Sequence, residues 1–352
     1  MDRAECADRR EPARRTARTV VYAFDARANS FDFVRFFLAA CVIVSHCFGA
    51  SGRHDPLRWI TRGQVTLGGA AVDAFFTISG FLIARSWETS GNGRVYFLRR
   101  ARRIYPAFLA AGLFCIVVVG PLTSSAPFAD LLPNIGHNLR RLAALGEPVV
   151  PHIYQGTLSM GHPNSVVWSI RYEFLCYCLI PVLALAGMFR RPQRMVALVA
   201  SLYAIHLLWL HFAGISPNGP RVLCYFAVGM AYWVCRRSIP LAVPIAWFAT
   251  AAVALSFVKG FEYVLPIAGT YLLFMFALRR GPLNQFGVRG DLSYGVYLYG
   301  FPMQMLITLA AGGRLGPLPL TLLTLLAATL CAYASWHAIE KRFLRSRIRS
   351  HA

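Results

Sequence analysis

Ten long apolar stretches dominate this chain and decide what it can fold into. Crossing the hydrocarbon core of a bilayer takes about 20 apolar residues in a helix, so the chain is predicted to be a membrane protein. The approximate limits of the stretches are 33–50, 66–87, 104–122, 166–188, 194–213, 220–235, 239–258, 262–278, 291–311 and 317–338. The predicted fold is therefore all-α, a polytopic bundle of about ten transmembrane helices.

The composition agrees with a membrane protein. The chain of 352 residues is 57% hydrophobic and only 14% charged, which is too little charge to cover a soluble domain of this size. Its formal charge of +21 lies in short clusters between apolar stretches, with no basic face interleaved with aromatic residues, so no nucleic-acid partner is expected. Most of the nine cysteines lie in or beside apolar stretches without a Cys-x-x-Cys pair, and no metal site is expected.

The placement of positive charge predicts the orientation, because cytoplasmic loops of membrane proteins are enriched in Lys and Arg. With the N-terminus in the cytoplasm, the segments predicted to be cytoplasmic hold 25 Lys and Arg residues and the outer segments hold eight. We therefore expect both termini in the cytoplasm. The predicted division is a disordered tail over 1–30, a membrane domain over 31–343 and a basic cytoplasmic tail over 344–352.

Ionisable residues at membrane depth indicate a functional site, because they are costly to keep there. At a rise of ~1.5 Å per residue, His46 lies roughly 6 Å below the outer end of the first stretch. Asp73 and Glu173 lie roughly 10 Å below the same surface, with Arg171 slightly above Glu173. A carboxylate-oriented imidazole is a general base towards a hydroxyl, so His46, Glu173 and Asp73 are the candidate catalytic residues. The alternative is that His46 only forms hydrogen bonds between helices.

Arginines gather near the predicted inner ends of the helices. Arg35 precedes His46 by eleven residues, which places it on nearly the same helix face, roughly 16 Å lower. Four arginines follow the second stretch in Arg99-Arg100-Ala-Arg102-Arg103. Guanidinium groups grip phosphate bidentately, so this cluster suits a phosphorylated cofactor. A basic helix end is also an ordinary topology signal, and that alternative stays open.

Several segments, in order along the chain, resemble the acyltransferase-3 family of integral membrane acyltransferases, which O-acylate bacterial surface polysaccharides. The segments are Phe31-Asp-Phe-Val-Arg35 followed by His46, Asp73-Ala-Phe-Phe-Thr-Ile-Ser79-Gly80-Phe, Arg99-Arg100-Ala-Arg102-Arg103-Ile-Tyr-Pro106, Asn164-Ser-Val-Val-Trp168-Ser-Ile-Arg-Tyr-Glu173-Phe-Leu-Cys-Tyr177, Ser293-Tyr-Gly-Val-Tyr-Leu-Tyr-Gly-Phe-Pro302 and Ile339-Glu340-Lys341. Two positions depart from the family pattern, since Gly300 stands where a His is frequent and Arg342 where a Pro is frequent.

The resemblance implies an O-acyltransferase of the bacterial inner membrane, in contact with membrane lipid. It implies transfer of an acyl group, usually acetyl from acetyl-CoA, to a hydroxyl of a cell-surface or lipid-linked glycan. His46 falls on the family's essential histidine, and Arg35, Arg100 and Arg103 fall on arginines that handle the acyl donor. The candidate substrate-binding residues of the fourth stretch are Asn164, Trp168, Arg171 and Tyr177.

Two other classes of function remain open from the sequence. A proton-coupled transporter also carries His, Asp and Glu at membrane depth, although repeated halves and broken helices are not evident here. A catalytically inactive family member acting as a sensor or scaffold is the other alternative. The sequence does not indicate a protein partner.

Overall fold

The computed structural model describes residues 19–26, 28–125, 133–151, 153 and 162–345. These residues form helices and contain no β-strand, as the sequence predicts. The helices are α1 (Val20–Ala23), α2 (Phe31–Ala50), α3 (Pro56–Ile60), α4 (Leu67–Ser90), α5 (Gly93–Thr123), α6 (Asn134–Ala143), α7 (Ser165–Leu185), α8 (Pro192–Ala213), α9 (Asn218–Val234), α10 (Val243–Ser256), α11 (Phe261–Ala277), α12 (Ser293–Ala310) and α13 (Pro317–Leu344).

Six of these helices are long and apolar enough to cross a membrane, namely α2, α4, α5, α7, α8 and α13. A seventh candidate joins α11 to the short helix Pro282–Val288 through a bend of 84°. The helices α9, α10 and α12 lie at the remaining predicted stretches. With 14 residues, α10 is shorter than the length of about 20 that a straight span needs. An all-helical chain with several candidate spans is thus confirmed, whereas the count of ten and the cytoplasmic termini stay predictions.

Helix α4 lies at the centre of the bundle, because 67% of its most apolar 18-residue stretch is buried. It crosses α9 at very short range, because Gly80 faces the backbone of Phe226 and Gly229 faces the backbone of Thr77. A Cβ atom at either glycine would collide with that backbone. Small residues at a crossing let two helix backbones approach closely inside a membrane, so this pair fixes α9 against α4.

The segment before the first candidate span is packed against the bundle. The backbone N–H of Val20 donates to the carbonyl of Ile239 at 3.1 Å, and Val20 is fully buried. The ring of Phe24 makes edge contacts with Phe81 and Trp233. Packed structure therefore begins well before residue 31.

Both predicted tails lie largely outside the described residues. Of the predicted N-terminal tail 1–30, only residues 19–26 and 28–30 are described, and these are the packed ones. Of the predicted C-terminal tail 344–352, only the end of α13 and Arg345 are described.

Candidate active site

Two cavities lie end to end inside the bundle. We call them the histidine cavity, whose lining includes Ser45, His46, Asp55, Trp168 and Arg221, and the arginine cavity, whose lining includes Arg35, Arg100, Arg103, Glu173 and Tyr177. Val72 of α4 and Tyr297 of α12 line both cavities, so the two spaces adjoin at these residues. The free volume is about 470 Å³ in the histidine cavity and about 90 Å³ in the arginine cavity. The histidine cavity is therefore the larger of the two.

His46 lies in the last turns of α2, with its side chain on the histidine cavity. The imidazole stands edge-on against the ring of Phe301 on α12, with 5.3 Å between the ring centroids. The backbone carbonyl of His46 accepts a hydrogen bond from Nε2 of Gln304 at 3.2 Å. Contacts from α12 therefore hold this turn of α2 and limit the rotation of the imidazole.

Asp55 is the one carboxylate in the described lining of the histidine cavity, and the sequence analysis did not single it out. Its Oδ1 accepts three backbone N–H groups at the starts of α3 and α4, each at 2.9 Å. Its Oδ2 accepts the hydroxyl of Ser45, the residue next to His46. The carboxylate is thus held rigidly beside the turn of α2 that carries His46. The available sequence signal was an Asp directly before Pro56, which is typical of a helix start.

Asp73 is buried but lines neither cavity. Its Oδ1 lies 3.5 Å from Nε of Arg221 on α9, and Arg221 lines the histidine cavity. The depth of Asp73 along α4 suggested a place beside His46. One residue along a helix turns the side chain by about 100°, so Val72 faces the cavities while Asp73 faces α9. The structure therefore places Asp73 behind the cavity wall, where it supports Arg221.

Glu173 of α7 lies in the arginine cavity, not in the cavity of His46. It accepts hydrogen bonds from the hydroxyl of Ser79 on α4 at 2.9 Å and from the hydroxyl of Tyr177 one turn along α7. Glu173 and His46 therefore line two adjoining cavities instead of one shared pocket.

Arg35, Arg100 and Arg103 all line the arginine cavity, so the structure brings together the three arginines that the sequence analysis grouped. Nη1 of Arg35 lies 3.4 Å from Oδ2 of Asp291, in the loop before α12, and Arg103 binds the same oxygen. Burial alone would raise the pKa of Asp291, but Arg103, Arg35 and two hydrogen bonds from Ser293 lower it to about 2. An ionised carboxylate thus neutralises two of the three guanidinium groups.

The third guanidinium group, that of Arg100, is not neutralised in this way. It lies 6.0 Å from the ring centroid of Tyr177, and its buried Nε has no hydrogen-bond partner within the described part of the chain. A buried donor without an acceptor is costly. Its place on the cavity wall suits an anionic group of a ligand.

Two of the four candidate substrate-binding residues line a cavity, and the other two do not. Trp168 lines the histidine cavity and Tyr177 the arginine cavity. Asn164 lines neither, and its side chain donates to the carbonyl of Leu298 at 2.8 Å, which fastens the start of α7 to α12. Arg171 is exposed and also lines neither cavity.

Tyr297 is a further site residue that the sequence analysis did not single out. Its hydroxyl donates to the carbonyl of Val166 at 2.6 Å and lies 2.8 Å from the hydroxyl of Ser169. Its ring makes an edge contact with Phe75 at 5.8 Å between centroids. These bonds hold the side chain across the boundary of the two cavities.

Gly300 occupies the position where the resembled family often has His. A Cβ atom there would come within 2.7 Å of the side chain of Ile43 on α2. At Gly300, α12 therefore packs directly on α2, and a larger residue would require the side chain of Ile43 to shift.

A family model described as an acyltransferase domain matches residues 28–337. This chain belongs to that acyltransferase family. The match covers all the residues of both cavities and decides for an O-acyltransferase over a transporter. Among the described residues, no group of three or more His, Cys, Asp or Glu side chains could hold a metal ion.

Curated relatives resemble the enzyme over almost its whole length. The O-acetyl transferase of Shigella phage Sf6 is 27% identical over 346 residues, covering 90% of this chain and 96% of the relative. Nodulation protein 10 of Rhizobium leguminosarum bv. viciae is 27% identical over 352 residues, covering 91% and 94%. The exopolysaccharide production protein ExoZ of Rhizobium meliloti (strain 1021) is 27% identical over 312 residues, covering 81% and 92%. No solved structure matches the chain.

Proposed function

We propose that this enzyme moves an acetyl group from acetyl-CoA to a hydroxyl of a cell-surface or lipid-linked glycan, at the bacterial inner membrane. The observation that carries the proposal is the pair of adjoining cavities, one with a histidine and one with three arginines, which share Val72 and Tyr297 in their linings. The names of two relatives, an O-acetyl transferase and an exopolysaccharide production protein, support acetyl as the group and a polysaccharide as the acceptor.

The arginine cavity is the proposed donor side. Coenzyme A carries phosphates, which Arg35, Arg100 and Arg103 would bind through bidentate hydrogen bonds. The unpartnered Nε of Arg100 supports this assignment, because it lacks an acceptor within the described residues. Asp291 would hold Arg35 and Arg103 in place until the phosphates arrive. The narrow free volume beyond them suits the extended arm that ends in the thioester.

The histidine cavity is the proposed acceptor side. His46 takes the proton from the acceptor hydroxyl, and the oxygen attacks the thioester carbonyl carbon as the carbon–sulfur bond breaks. The departing thiolate then takes this proton from the imidazolium of His46, which returns the imidazole to its neutral form. Asp55 stabilises the imidazolium that forms in between.

Glu173 and Asp73 are given supporting roles in this proposal. Glu173 fixes Tyr177 and Ser79 along the wall of the arginine cavity, where the thioester arm passes. Asp73 fixes Arg221 at the wall of the histidine cavity.

Acetyl transfer in membranes tests the proposal. Membranes that contain the enzyme are given acetyl-labelled acetyl-CoA and surface glycan from a strain that lacks the gene. The expected result is label in an alkali-labile ester on sugar. Uptake of label without ester formation would instead support a transporter, and the absence of both would support an inactive family member.

A further inference from the structure

Three arginines line the histidine cavity: Arg53, Arg58 and Arg221. Positive charge is scarce in the segments predicted to be outer, which hold only eight of the 36 Lys and Arg residues. Three of those eight therefore converge on one cavity.

The single carboxylate in the described lining of this cavity forms no ion pair with any of these arginines. Both oxygens of Asp55 are engaged, Oδ1 by backbone N–H groups and Oδ2 by Ser45. Arg53 and Arg58 are exposed at the cavity, and neither forms an ion pair with any residue that the structure describes. Two arginines thus line the cavity without an ion-pair partner in the described chain.

Arg221 lies deeper, with 15% of its side chain exposed. Asp73 holds its Nε at 3.5 Å and Asn218 accepts from its Nη2 at 3.3 Å. Its Nη1 has no acceptor among the described residues, and Nε has no hydrogen bond of good geometry there. Asp73 and Asn218 therefore hold the guanidinium of Arg221 in position, while some of its N–H groups remain free to bind a ligand.

We propose that the acceptor is an anionic glycan, whose negative group binds among Arg53, Arg58 and Arg221 while its hydroxyl reaches His46. This inference rests on the function proposed above and names the class of acceptor. Guanidinium groups bind carboxylate and phosphate oxygens in the same bidentate manner. The negative group is therefore a sugar carboxylate or a phosphate of a carrier lipid.

Two matched pairs of acceptors test this inference, with both glycans taken from a strain that lacks the gene. The first pair is the surface polysaccharide and the same polysaccharide with its carboxyl groups chemically reduced to alcohols. The second pair is the lipid-linked oligosaccharide and the same oligosaccharide released from its phosphate. The measurement is kcat/KM for the acceptor, with labelled acetyl-CoA, at low and high salt.

We expect the charged member of one pair to be preferred by about tenfold or more, the size of one good charged contact, and the preference to shrink at high salt. A preference within the first pair identifies a sugar carboxylate, and one within the second identifies a phosphate. Equal kcat/KM for the charged and neutral members of both pairs would overturn the inference and leave the proposed function intact. No labelled ester on any of the four glycans would refute the proposed function itself.

Substitution of the exposed arginines is the second test, and it measures the KM for the acceptor. Arg58→Gln and Arg53→Gln are each expected to raise the KM for the preferred acceptor by about five- to tenfold, with the KM for acetyl-CoA unchanged. The matched control is Arg314→Gln, because Arg314 is an exposed arginine in the loop between α12 and α13 and does not line the cavity. An acceptor KM that stays the same in both variants, or rises equally in the control, would contradict the inference.

Discussion

At the scale of single residues, the proposed chemistry depends on which groups share a cavity with His46. Asp55 does, because its N-capping of α3 and its bond to Ser45 draw the connecting loop back over the end of α2. Asp73 does not, because it faces α9. The loop, and not a neighbouring span, therefore supplies the carboxylate that shares this cavity with His46.

Asp55→Asn tests this role. The amide oxygen can still cap α3, but the negative charge is lost, so we expect kcat to fall by about tenfold to a hundredfold, which is no more than the smallest typical contribution of a general base itself. The KM for acetyl-CoA should stay the same, because Asp55 lies outside the arginine cavity. Steady-state kinetics measure both quantities. Ser45→Ala is the companion variant, since it removes only the hydroxyl that binds Oδ2 and should have a smaller effect. An unchanged kcat in Asp55→Asn would exclude the carboxylate from catalysis.

Arg103→Lys tests the donor side. A lysine keeps the charge but cannot bind phosphate bidentately, so the KM for acetyl-CoA is expected to rise by about tenfold. The matched control is Arg99→Lys, because Arg99 is an exposed residue of the same cluster that does not line the cavity. Acetyl-CoA titrations of transfer rate measure both variants. Equal effects at the two positions would mean that general positive charge, and not the cavity, binds the donor.

At the scale of helices, the positions of the apolar stretches were predictable and their rotations were not. Each of the ten stretches coincides with a helix, because apolar length is directly visible in the sequence. Which residue of α4 faces the cavity depends on the crossing of α4 with α9, which is set by Gly80 and Gly229 far apart in sequence. Estimating depth along each helix therefore predicted which arginines lie near one another. It could not predict that Asp73 faces α9 instead of the cavity of His46.

Gly80→Ala tests the crossing of α4 and α9. The added methyl group would meet the backbone of Phe226, so one helix must shift, at a cost of about 1–3 kcal/mol. We expect a lower thermal denaturation temperature in detergent and a loss of transfer activity. Gly136→Ala is the control, since Gly136 is a helical glycine whose Cβ would meet no atom within 4 Å. Similar denaturation temperatures for the two variants would show that the crossing tolerates a larger separation.

At the scale of the whole molecule, the proposed reaction is divided between two adjoining cavities of one bundle. In this proposal the arginine cavity binds the phosphorylated donor, and the histidine cavity provides the base and the space for the glycan. Val72 and Tyr297 line both cavities. The orientation predicted from the positive charges places the arginine cavity towards the cytoplasm, where acetyl-CoA is made.

Acetyl transfer by His46→Gln, in membranes with confirmed insertion, tests the division into donor and acceptor sides most directly. The reference variant is His211→Ala, because His211 is an exposed histidine on α8 that lines neither cavity. We expect His46→Gln to lose at least about a hundredfold in transfer rate, as expected for loss of a general base, while it binds labelled acetyl-CoA as tightly as the unaltered enzyme. Transfer at the unaltered rate, or loss of acetyl-CoA binding together with transfer, would contradict the account.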